Sequence, residues 1–89
     1  MSASAAFGPW RADIPTDERL ARLRAMRAIV FMLCGPHHPL VIALAAAETE
    51  PSATEEALRQ LEQLPPLRRR RVLSVYAALQ TSRRGKSDV

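Results

Sequence analysis

The chain is poor in cysteine, glycine and aromatic side chains, and each shortage removes a class of protein. Cys34 is the one cysteine among 89 residues. No internal disulfide can form, and a lone thiol in an apolar run points to a reducing compartment, here expected to be the cytoplasm. Three glycines and few β-branched residues argue against a sheet-rich fold, whereas abundant Ala, Leu, Arg and Glu favour helix. The opening stretch MSASAAFGPWRAD lacks a basic segment followed by an apolar one, so a secretory signal is not expected.

Two other absences concern chemistry. Cys34, His37 and His38 form a C-x-x-H-H cluster, but a structural zinc site takes four ligands and there is no second cysteine or third histidine. The same cysteine and histidines could imitate a thiol nucleophile with its base, yet no orienting acid or oxyanion site accompanies them. No catalytic residue, metal ligand or cofactor is therefore expected, and the chain reads as a non-enzyme.

The most organised stretch is Ala28 to Ala47, AIVFMLCGPHHPLVIALAAA. Its length approaches that of a membrane span, but Gly35, Pro36, His37, His38 and Pro39 fall in the middle, where hydrocarbon would strand backbone groups and two imidazoles. No membrane partner is expected. The alternative is a sharp corner between two helices, with Gly35 ending the first in a left-handed conformation and Pro39 suiting the first turn of the second. Ala28 to Cys34 and Leu40 to Ala47 are apolar on every side, so each must be covered by the chain's own core or by a partner.

These signals predict an all-α fold, a small bundle of four short helices with a buried apolar second helix and flexible termini. Three parts are expected: an N-terminal arm over 1–14, a helical domain over 15–82 and a basic tail over 83–89. Within the arm, Phe7 and Trp10 are the exceptions to an Ala/Ser-rich composition, and they either fold back onto the core or anchor a partner. The first helix is expected from Thr16 to Cys34, with Thr16 as cap, Asp17 and Glu18 complementing the dipole, and an inner stripe of Leu20, Leu23, Met26, Val30 and Leu33 or Cys34. Its Arg19, Arg22, Arg24 and Arg27 read as a solvated basic surface. The second helix covers Pro39 to Thr49. The third is announced by Pro51, an N-cap at Ser52 and a capping box completed by Glu55, with Ala57 or Leu58, Leu61 and Leu64 inward. The fourth starts at Pro66 and ends near Thr81 or Ser82, with Leu67, Val72, Val75 or Tyr76, and Leu79 as its apolar side.

Charge is segregated along the chain. Residues 1–34 carry a net +2, residues 35–64 a net −4 and residues 65–89 a net +6. Arg68, Arg69, Arg70 and Arg71 stand in succession near the start of a helix, where positive charge opposes the dipole by typically 0.3 to 1 kcal/mol per group. An acidic partner or polyanion can offset that, because Arg pairs bidentately with carboxylate and phosphate. So can Glu55, Glu56 and Glu62 of the preceding helix. A chain of this size buries only roughly 60 to 65% of its unfolded surface, which favours association. The expected function is that of a small non-catalytic regulatory or accessory protein acting through a protein partner, as a homodimer through the first or second helix, with Arg68–Arg71 and Trp10 as contact residues. The alternative is a small nucleic-acid-binding protein using the basic fourth helix and tail. Against it stand an acidic third helix that would lie near phosphates and the lack of interleaved aromatics.

Overall fold

The computed structural model describes the backbone of residues 8–87 and the side chains of residues 8–80. Phe7, the side chains of the basic tail and residues 88–89 lie outside the described residues. Four helices follow one another: α1 (Thr16–Cys34), α2 (Pro39–Thr49), α3 (Thr54–Glu62) and α4 (Pro66–Ser87), with short 3-10 turns at Gly8–Trp10 and Pro51–Ala53. There is no strand among the described residues.

Local chemistry sets the first corner. Gly35, at φ 98°, ends α1 and donates its N–H to the Phe31 carbonyl at 3.0 Å, a conformation that a Cβ would strain. His38 then caps α2 by accepting the Leu40 N–H on Nδ1 at 3.1 Å, and Pro39 occupies the first helical position. That hydrogen bond requires an unprotonated Nδ1. His37 is exposed. The α1 and α2 boundaries agree with those read from the sequence.

The other ends differ. Pro15, not Thr16, precedes α1, and its carbonyl accepts the Arg19 N–H at 2.9 Å without any side-chain cap. The Ser52–Glu55 capping box does not form: Pro51–Ala53 is a 3-10 turn, α3 starts at Thr54, and no side chain caps it. At the far end α4 continues to Ser87, so residues 83–87, expected as part of a loose tail, are helical.

α2 packs between α1 and α3, while α4 packs chiefly against α1. Leu23, Met26 and Val30 from α1 meet Leu40 and Leu44 from α2, Leu61 from α3, and Val72 and Tyr76 from α4 in one buried cluster. The 3-10 turn at Gly8–Trp10 rests against α1 and α3. Gly8 lies against the Tyr76 ring, and its φ of 72°, rather than lack of space, is what would strain a side chain at this position. The Gly8–Trp10 turn is thus packed onto the bundle rather than extended from it.

Apolar residues of α4 divide between two faces. Val72 and Tyr76 are buried, but Leu67 is 77% exposed and Val75 and Leu79 are each 40% exposed. The expected single inner stripe of Leu67, Val72, Val75 or Tyr76, and Leu79 is corrected accordingly. At 100° per residue Leu67 and Tyr76 stand on opposite sides of the helix. α2 is likewise not covered all round, since Ile42 is 60% exposed, and near the end of α1 Met32 is 83% exposed. The requirement that the two apolar blocks be covered is met only in part by the chain itself.

Candidate interaction surface

The arginine run at the start of α4 resolves into two pairs. Arg68 donates through Nη1 to the Leu33 carbonyl at 2.9 Å, with Cys34 Sγ at 3.8 Å. Arg69 donates to the Glu62 carbonyl at 3.0 Å. These carbonyls belong to the last turns of α1 and α3, where helix C-termini leave acceptors unsatisfied and carry partial negative charge. Two cations that oppose the dipole of their own helix therefore complement those of two neighbouring helices.

Arg70 and Arg71 make no hydrogen bond or ion pair among the described residues, and both are exposed. With Leu67, Ser74 and Val75 they line an open groove of about 500 Å³ on the outer side of α4. The expected internal neutralisation of the run is absent: the carboxylates of Glu55, Glu56 and Glu62 form no ion pair with it. Glu56 instead pairs with Arg59 and accepts from Gln60 at 2.7 Å, and Glu62 contributes only its backbone carbonyl.

Trp10, the remaining expected contact residue, is turned toward the bundle. Its indole N–H donates to the Thr54 carbonyl at 3.0 Å, and its ring packs on the core cluster. Two arginines of α1 fasten the same segment: Arg22 reaches the Gly8 carbonyl at 3.2 Å and Arg19 the Arg11 carbonyl at 2.6 Å. Arg22 also pairs with Glu18 at 2.9 Å. At its outer edge Arg11 pairs with Asp13 at 2.7 Å and holds that carboxyl below its ordinary value of 3.8.

The other two α1 arginines converge on Glu48, whose side chain is only 11% exposed. Arg24 lies 3.4 Å from Oε1 and Arg27 lies 2.5 Å from Oε2, the latter an ionic contact without hydrogen-bond alignment. This clamp joins α1 to α2. Sequence reasoning took the four α1 arginines as a solvated surface; the overlooked signal was Glu48, the one charged residue within Pro39–Thr49. Beside the clamp Arg24, Arg27, Ala28, Phe31 and Met32 line a second open groove of about 320 Å³.

Among the described residues no three His, Cys, Asp or Glu side chains come together as metal ligands. Cys34 is half-buried beside Arg68, and His38 is occupied in capping α2. No helix among the described residues is long and apolar enough to cross a membrane. Compared with protein-family models, curated proteins and solved structures, the chain matches none.

Proposed function

We propose that the chain is a small non-catalytic accessory or regulatory protein that works by holding another protein, with the outer face of α4 as its contact surface. The observation that carries this reading is the placement of Arg70 and Arg71, without a partner among the described residues, on the same exposed side of α4 as Leu67, Val75 and Leu79. Burying one leucine side chain is worth about 1.5 to 3 kcal/mol, so covering this face rewards association. A nucleic-acid backbone would use the two guanidinium groups but leave the apolar half of the face unmet, which favours a protein. Arg68, Arg69 and Trp10 are outside the proposed contact because they bind backbone carbonyls of the chain itself. A half-buried free cysteine agrees with a cytoplasmic setting, which belongs to the same proposal.

A photo-crosslinking amino acid at position 74, introduced into the protein in its own cells, tests the reading. Ser74 lies on the groove and is exposed. The expected product is a discrete protein adduct whose yield falls in Arg70→Ala/Arg71→Ala. Adducts to nucleic acid alone, or none, would remove the reading.

Self-association belongs to the other surface. Phe31 and Met32 are exposed beside Arg24 and Arg27, which share the one carboxylate of Glu48, and Ile42 is exposed on α2, so two copies can meet there through apolar side chains with one uncompensated positive charge on each. A homodimer mass by light scattering at micromolar concentration, reduced to a monomer by Met32→Asp, is the expected result. A monomer mass for the unaltered protein would end the homodimer part of the proposal.

A further inference from the structure

We infer that the occupant of the α4 outer face is an amphipathic helix of the partner protein, about three turns long, carrying carboxylates beside its apolar stripe. The inference rests on the proposed function and specifies the chemistry of its partner. Leu67, Arg70, Arg71 and Ser74 stand at i, i+3, i+4 and i+7 on one face of α4, with Val75 closing the groove of about 500 Å³. That spacing is the four-residue hole into which a side chain of a facing helix fits.

A helix fits better than a strand for a specific reason. α4 satisfies its backbone groups along its own axis, so its flank offers no row of free N–H and C=O groups for an extended segment to pair with. Recognition must run through side chains arranged at helical spacing. From Leu67 to Leu79 the exposed stripe spans roughly 18 Å at 1.5 Å per residue, which matches just over three turns of a partner.

The demand for carboxylates follows from Arg70 and Arg71. Neither has a partner among the described residues, both stand near the N-terminal end of α4, and the first turn of that helix contains no acidic residue. Acidic side chains on the incoming helix would offset both the guanidinium charges and their conflict with the dipole. A second copy of this chain is a poor fit. Its own acidic face, on α3, exposes Glu55 and Glu62 but no large apolar side chain, so it could meet the arginines and not the leucines.

Fluorescence anisotropy with two synthetic helical peptides of eighteen residues tests the inference on the full chain. Both carry leucines at helical spacing; one flanks them with glutamates, its twin with lysines. The glutamate peptide is expected to bind at least about tenfold more tightly than its twin, with amide shifts concentrated between residues 67 and 79. Arg70→Glu/Arg71→Glu is expected to reverse the preference, and binding of the lysine peptide would itself show that the variant is folded. Arg70→Gln/Arg71→Gln, which keeps the side-chain bulk, is expected to abolish the preference. Equal binding of the two peptides, or a preference that survives removal of both charges, would overturn the inference. So would displacement of the glutamate peptide by a 20-base-pair DNA duplex at equal concentration, or a dimer of the unaltered protein that Leu67→Asp dissociates. A protein adduct at position 74 combined with no binding of either peptide would leave the proposed function standing and remove the acidic helix.

Discussion

The arginines of α1 and those of α4 lie in the same small bundle and have opposite fates. On α1, Arg19 and Arg22 fasten the N-terminal segment through the carbonyls of Arg11 and Gly8, while Arg24 and Arg27 close on Glu48 of α2. In the run at the start of α4, Arg68 and Arg69 reach the carbonyl ends of α1 and α3, and Arg70 and Arg71 have no partner among the described residues. A count of arginines would rank both helices alike. The distinction comes from what each side chain can reach: a half-buried carboxylate, a helix terminus, or water. A basic surface is available to a partner only where the fold has not already used its charge.

The largest test strikes the frame that holds both sets in place. Leu44 is fully buried at the centre of α2, and Leu44→Asp would strand a carboxylate there at a cost of several kcal/mol against a total stability of similar size. Loss of most helical circular dichroism is expected; a native spectrum with an unchanged melting temperature would contradict the core described above.

A smaller effect sharpens the α1 side. Glu48→Ala removes the acid shared by Arg24 and Arg27, and the two arginines are 63% and 42% exposed, so solvent screens much of the loss. Destabilisation of about 1 to 2 kcal/mol is expected in urea titration. No change would mean that the clamp is ornamental and that the α1 arginines are as free as Arg70 and Arg71.

Within the α4 run the expected difference is smaller still. Arg69→Ala deletes the guanidinium donor to the Glu62 carbonyl and is expected to cost about 0.5 to 1 kcal/mol. Arg70→Ala is expected to cost nothing or to stabilise slightly, since it removes charge from the wrong end of a dipole. Thermal melts of the two single variants at low ionic strength should separate them; equal melting temperatures would undo the division of the run into pairs.

Much of the fold was legible in the sequence because its punctuation is local. Gly35, Pro36 and Pro39 act within a few residues of themselves, and they place the end of α1 and the start of α2 without reference to the rest of the chain. The Ser52–Glu55 pattern failed because Pro51 led the chain into a 3-10 turn, leaving Ser52 inside that turn rather than at the helix cap. The α4 face failed for a different reason. Leu67, Val72, Val75, Tyr76 and Leu79 spread over half of the helix circumference, so periodicity alone could not tell which of them α1 would cover.

The candidate surface was legible only as a region. Four consecutive arginines necessarily point in four directions, but which two would find the ends of α1 and α3 depended on how those helices approach α4. That is tertiary information, with thirty-five residues separating Arg68 from Leu33. The inward turn of Trp10 is equally non-local, because its acceptor is forty-four residues away at Thr54. His38 is the opposite case: a cap reaching two residues ahead, readable because it involves only its neighbours.

The central claim is that the charges of α1 are held inside the chain and those of Arg70 and Arg71 are left for another molecule. Urea denaturation of Arg24→Ala/Arg27→Ala and Arg70→Ala/Arg71→Ala under identical conditions tests it most directly, because each variant removes two positive charges and differs only in where they stood. The α1 variant is expected to lose about 1 to 2 kcal/mol of stability, and the α4 variant to match or slightly exceed the unaltered protein. Equal losses in the two variants, or a larger loss on α4, would contradict it.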